Sequence, residues 1–145
     1  MADIKNPTPE HWKDLIAETQ NVLTPVVAGK YILAHYMKDA ISQVKQYDFE
    51  GKLIRDIKLP ALGTVTLNSA KDEENESYFS FENFYTPSSI YKLHLDKGDT
   101  ELYWAPKIDF NPNDFESKQV FYTSKDGTKV PMIITYKKGT PLDGT

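Results

Sequence analysis

Histidines and serines are the residues here with the most chemistry to offer. The three histidines, His11, His35 and His94, stand far apart and none has a partner four residues on. A helical metal site places its ligands at i and i+4, and the three histidines show neither that pattern nor another regular ligand spacing. Each is therefore predicted to be an ordinary side chain, His35 and His94 on strands. A serine nucleophile of the α/β-hydrolase kind needs the elbow G-x-S-x-G, so that its hydroxyl stands clear of the sheet. None of the seven glycines brackets a serine in that way. The acidic run DEENE at 72–76 lacks the loop glycine and the alternating ligands of a calcium loop, and is predicted to be a solvated turn. The aromatic run FSFENFY at 79–85 has the makings of a carbohydrate platform, but it is predicted to be a core strand. No residue is assigned a catalytic, substrate-binding, cofactor-binding or metal-binding role.

Composition narrows the classes further. A chain of 145 residues suits one domain with a modest core. Nine Tyr and seven Phe favour half-buried pleated surfaces, hence an all-β protein. Arg55 is the sole arginine among seventeen basic residues, and no basic run gathers on one face. That excludes the basic stripe of a nucleic-acid binder. Cysteine is absent, which removes disulfides and thiolate chemistry without fixing the compartment. No apolar run reaches spanning length, so no membrane partner is expected, and MADIKNPTPE has no signal-peptide core. The expected compartment is the cytoplasm, with the periplasm as the alternative.

The positioning elements come from an internal repeat. VKQYDFEGKLIRDIKLP at 44–60 aligns with IYKLHLDKGDTELYWAP at 90–106 at an interval of 46. Val44 then meets Ile90, Tyr47 meets Leu93 and Phe49 meets Leu95; upstream, Ile32 meets Tyr78 and Ala34 meets Ser80. Each unit divides at turn signals into four strands, near 22–28, 30–37, 41–49 and 52–59, then 62–68, 76–83, 89–95 and 99–105. Four strands in such a length is the footprint of a β-propeller blade. Two similar meanders of one β-sandwich remain the alternative. HWKDLIAE at 11–18 fits a helix or a strand; in phase with the repeat it is the outer strand of a preceding blade. Asp126-Gly127 is predicted to form a two-residue hairpin turn.

Several of these runs resemble the prolyl oligopeptidase family. They are Phe79-Ser80-Phe81, Thr86-Pro87-Ser88-Ser89-Ile90-Tyr91, and above all Phe121 to Gly139 with its Ser124-Lys125-Asp126-Gly127-Thr128 and Pro131-Met132. Tyr47-Asp48-Phe49-Glu50-Gly51-Lys52 and Leu59-Pro60 extend the likeness upstream. The resemblance implies a seven-bladed propeller capping an α/β-hydrolase domain that carries a Ser-Asp-His triad. It also implies short proline-containing peptides as substrates, and no cofactor. None of the triad maps onto this chain, and no binding residue is carried over.

The expected architecture is all-β: a partial β-propeller of about two four-stranded antiparallel blades, plus a β-hairpin that would begin an α/β-hydrolase domain. The expected divisions are 1–20, outer strand of a preceding blade; 21–60, one blade; 61–107, the last blade; and 108–145, linker and hairpin. On this reading the chain is an excised piece of a larger peptidase, inactive alone and prone to self-association through the faces or edges that its missing neighbours would cover. A free-standing β-repeat binding module is the alternative function.

Overall fold

The computed structural model describes residues 4–144, and among them the fold is all-β without an α-helix. The first sheet has the strands β1 (Val22–Ala28), β2 (Tyr31–Lys38), β3 (Ile41–Tyr47) and β4 (Leu53–Ile57) in sequence order. The second has β5 (Thr64–Leu67), β6 (Glu76–Glu82), β7 (Ser89–His94) and β8 (Thr100–Trp104), again in sequence order. Every pairing is antiparallel, and each sheet has one register shift, at Gln46/Tyr47 and at Ile90/Tyr91. A two-stranded ribbon of β9 (Phe115–Thr123) and β10 (Lys129–Lys137) follows. All eight blade strands lie within a few residues of their expected places.

Strand pairing alone leaves each sheet with an apolar face that needs cover. Leu33, Val44 and Ile57 of the first sheet meet Val65, Phe79, Phe81, Leu93 and Leu95 of the second in one buried cluster. Gly29 shows how close the approach is. A Cβ placed on it would lie 2.5 Å from the Glu74 carbonyl oxygen, and its φ of +55° is one that side chains rarely adopt.

The constant interval of 46 does not survive the register. Leu33 and Phe79 do correspond at 46, since both are buried and point into the seam. Their partners across the next strand are Gln46 and Tyr91, an interval of 45. Their partners across the preceding strand are Val26 and Leu67, an interval of 41. Eight residues (68–75) join β5 to β6, where only Gly29 and Lys30 join β1 to β2, which accounts for most of the second discrepancy. The matching of Val44 with Ile90 is thus off by one residue. Val44 faces the seam, whereas Ile90 pairs with Ser80 on the opposite face of its sheet. A slip of one residue exchanges the faces of a strand. The periodicity did not expose it because apolar residues occupy both faces of these strands.

The outer faces also differ from expectation. On the first sheet Ile32, Ala34 and Tyr36 are buried, and residues 14–19 run beside Tyr36 while Leu15 lies against Gly51. Burial, with a side-chain hydrogen bond to Tyr47, pushes the Tyr36 hydroxyl up to about 12. Residues 12–21 hold no strand; the upstream Pro9–His11 forms a 3-10 turn. A strand needs a hydrogen-bonded neighbour, and among the described residues no part of 12–21 enters a sheet. On the second sheet the outer face is charged. Glu76 and Glu101 each lie 3.4 Å from Lys92, and they flank His94 at 3.6 and 3.4 Å. Neither outer face is a bare apolar surface.

The ribbon turn is longer than Asp126-Gly127 suggested. Ser124 N–H donates to the Thr128 carbonyl at 2.8 Å, which encloses 125–127 in a three-residue loop with Gly127 at positive φ. The Asp126 carboxylate accepts the Thr128 N–H at 3.0 Å, and this bond holds its pKa below the ordinary value.

The corrected register separates two substitutions. Leu93→Ala is expected to cost about 2–5 kcal/mol, as truncation of a buried leucine does. Ile90→Ala, on the half-exposed outer face, is expected to cost distinctly less. Urea unfolding of both variants checks the order, and a reversed order would restore the 46-residue matching.

Candidate functional site: the seam between the sheets

Apolar packing fills the seam, and polar fasteners set its register. At one end Gly29 N–H donates to the Ala70 carbonyl (3.2 Å) and Ala70 N–H to the Val27 carbonyl (3.3 Å). These bonds make the parallel bridge between Ala28 and Ala70. At the other end Ser42 does double duty. Its N–H donates to the Gly63 carbonyl at 3.1 Å, and its hydroxyl oxygen accepts the Val65 N–H at 3.0 Å. His35 Nε2 lies 2.8 Å from the same hydroxyl. A third fastener is buried Gln46, whose Nε2 donates to the Leu95 carbonyl at 2.6 Å. Its Oε1 is buried without a hydrogen-bond partner among the described residues.

The short strand β3 positions these groups. In Ile41-Ser42-Gln43-Val44-Lys45-Gln46 the even residues are buried and share the seam face. Two of those three positions are polar, and both reach across to backbone of the second sheet. Sequence reasoning passed over Ser42 and Gln46. The signal that could have found them is a polar residue in phase with a core valine on a strand.

His35 lies on β2 and His94 on β7, the strands expected of them. His11 Nδ1 lies 2.9 Å from the Thr8 hydroxyl on an exposed turn. His94 stands between carboxylates on the outer face of β7. His35 meets a serine, but that hydroxyl is buried and already accepts a backbone N–H. Among the described residues no cluster of three His, Asp or Glu could hold a metal ion. Residues 72–75 form the expected turn, closed locally by the Glu74 carboxylate accepting the Lys71 N–H at 2.7 Å, whereas Glu76 already belongs to β6 and pairs with Lys92 and His94. Phe79 and Phe81 are core, as expected of that aromatic run, although Phe84 beyond them is exposed.

The ribbon meets the sheets at the β2–β3 turn, where Gln119 Nε2 donates to the Asp39 carbonyl at 2.7 Å. Asp39 and Ala40 both have positive φ, 51° and 64°, as a tight hairpin turn demands. Neither is glycine, so the turn carries roughly 1–3 kcal/mol of backbone strain per residue. Beside it a cleft of about 400 Å³ opens between Ala40, the 82–88 loop and Ile133 of β10.

Residues 1–106 match the family model described as "Prolyl oligopeptidase, N-terminal beta-propeller domain". The chain belongs to the prolyl oligopeptidase family. A prolyl endopeptidase of Elizabethkingia miricola is 52% identical over 141 residues, which is 97% of this chain and 20% of that protein. One of Dictyostelium discoideum is 37% identical over 135 residues, covering 90% of this chain and 18% of that protein. A solved structure, from a study of two prolyl endopeptidases, superposes with a TM-score of 0.82 at 33% identity, over 97% of this chain and 21% of that one. The prolyl oligopeptidase B of Galerina marginata gives 0.78 at 27% identity, over 88% of this chain and 19% of that one. The chain spans about a fifth of the length of the relatives it matches. The two sheets are thus antiparallel sheets of a prolyl oligopeptidase propeller domain.

Ser42→Ala isolates one fastener. It leaves the Val65 N–H buried without its acceptor, which is expected to cost about 1–3 kcal/mol. Urea unfolding and a loss of exchange protection at the Val65 amide check it.

Proposed function

We propose that this chain is a section of the propeller cap of a serine endopeptidase that cuts short peptides after proline. The cap admits only substrates small enough to pass it. The observation that carries this reading is the 52% identity to a prolyl endopeptidase across 97% of the chain. Peptide substrates find support in the Galerina marginata prolyl oligopeptidase B, whose solved structures include one bound to a 25-residue macrocyclization substrate. A size filter needs a wall that does not part under thermal motion. Dry packing of the seam, pinned at Gly29, Ser42 and Gln46, gives the physical basis of such a wall.

Catalysis lies outside this chain on the same proposal, because nucleophile, base and oxyanion donors must converge within hydrogen-bond reach. The purified chain is expected to leave a chromogenic Gly-Pro substrate intact and to take up no serine-directed organophosphonate. Inhibitable turnover with one labelled serine would overturn this. The encoding gene gives a second check, with a reading frame expected to run past Thr145 into a G-x-S-x-G elbow. A stop directly after Thr145 would favour a free-standing module.

Self-association belongs to the same proposal, through edges rather than faces. Leu102, Tyr103 and Trp104 are exposed on the edge strand β8, and Phe121, Tyr122 and Met132 on the ribbon. An apolar strand edge is a template for another chain. Each few hundred Å² covered is worth roughly 5–10 kcal/mol at about 25 cal/mol per Å² before the costs of association. Light scattering over a dilution series is expected to give dimers or larger species at micromolar concentration. A compact monomer throughout would contradict it.

A further inference from the structure

Strand β1 has the composition of a strand that recruits another. Its run Val22-Leu23-Thr24-Pro25-Val26-Val27-Ala28 is uncharged, and its valines and threonine suit extended pairing. It is an edge, hydrogen-bonded to β2 on one side only. Val22, Thr24, Pro25 and Val27 are exposed. An exposed apolar edge of this kind invites pairing with a passing chain.

One bridge fixes the direction of each backbone group on that edge. The Val27 carbonyl and the Gly29 N–H both bond Ala70, in the loop between β5 and β6, so both point away from β2. In an antiparallel pair, residues turn both backbone groups towards the partner and away from it by turns. Leu23, Pro25 and Val27 therefore turn theirs outwards, while Val22, Thr24, Val26 and Ala28 face β2. Ala70 occupies the end of the outward edge. Pro25 stands in its middle and has no N–H to offer. The outward N–H groups of Leu23 and Val27 are four residues apart, roughly 13 Å, so no two successive positions carry an open donor.

The edge of β5 is closed by other means. Ser42 N–H donates to the Gly63 carbonyl, and the Ser42 hydroxyl accepts the Val65 N–H as the carbonyl of a partner strand would. Two successive outward positions, 63 and 65, are thereby occupied.

We propose that the first strands of the two sheets form a non-adhesive wall, in which Pro25, Ala70 and Ser42 leave no run of backbone donors for an extended peptide to join. Backbone bonds between the sheets lie beside β1 and β5, the side on which the radial sheets of a propeller converge on its channel. A filter that selects on size must let accepted peptides slide past. Strand addition would hold them through main-chain bonds whatever their sequence. Pro25 is then a specificity-determining residue, which keeps the wall selective by size rather than by retention. That use rests on the cap reading above, whereas the closure rests on the geometry of β1 and β5 alone.

The test uses the full chain and its Pro25→Val variant, which restores an N–H in the middle of the edge. The probe is a dye-labelled Thr-Val repeat with a lysine at each end, read by fluorescence anisotropy. Pro25→Val is expected to bind it about tenfold more tightly than the wild type does. The same peptide N-methylated throughout has no donors for pairing, and is expected to bind neither protein. A variant no tighter than the wild type would overturn the proposal, and so would tight binding of the methylated peptide. Should Pro25→Val fail to fold, amide exchange in the wild type decides. Leu23 and Val27 are expected to exchange at least about tenfold faster than Thr24 and Val26, once corrected for intrinsic rates. Equal protection at all four would mean that the outward groups are already covered, and would overturn the closure. None of these readouts depends on turnover or on the reading frame past Thr145, so the closure and the cap reading can fail separately.

Discussion

Two strongly apolar sheet faces, packed side chain against side chain and with a close backbone approach at Gly29, set the terms for the rest of this chain. Phe79, Phe81, Leu93 and Leu95 on one side need Leu33, Val44 and Ile57 on the other. Neither sheet carries a second layer of its own on that face, so neither buries its core without the other. The turns follow from this packing. Gly29 is required where β1 gives way to β2, because any side chain would strike the backbone at Glu74. The polar contacts follow as well. Ser42 and Gln46 sit among valine and leucine, and each satisfies a backbone group of the opposite sheet. Hydrogen bonds inside a dry seam are costly to break, which converts a general apolar attraction into one register.

Much of the strand pattern was legible in the sequence because β-branched and aromatic runs alternate with Gly, Asp and Pro. What was not legible was which face each strand presents. Both faces of β3 and β7 hold apolar residues among polar ones, so Tyr47 and Val44 looked equivalent until their partners were known. The extra residues of the 68–75 loop also shift β5 relative to β1, and no constant interval can absorb them. The N-terminal segment was misread for a related reason. Leu15 and Ile16 are apolar as a strand or helix would require, but they are used as an irregular cover beside the first sheet.

The polar pins of the seam escaped the sequence for a different reason. Their only signal is a polar residue in phase with apolar ones, and Ser42 and Gln46 look like ordinary strand residues until the fold shows what they reach. Ser42 and His35 make the point, since the same pair of residue types that could be a nucleophile and its base is here a buried fastener. The family is carried by similarity along the whole chain, whereas the role of each residue comes from contacts that only the fold brings together.

Native-state hydrogen exchange across a denaturant series tests the dependence on the shared core most directly. The central strands β2 and β3 of the first sheet, and β6 and β7 of the second, are expected to lose protection through one common opening, with a single free energy and a single denaturant slope. One sheet that exchanges at low denaturant while the other stays protected would mean that each holds its own core. The seam would then be a contact between two independent units rather than the constraint on which they both depend.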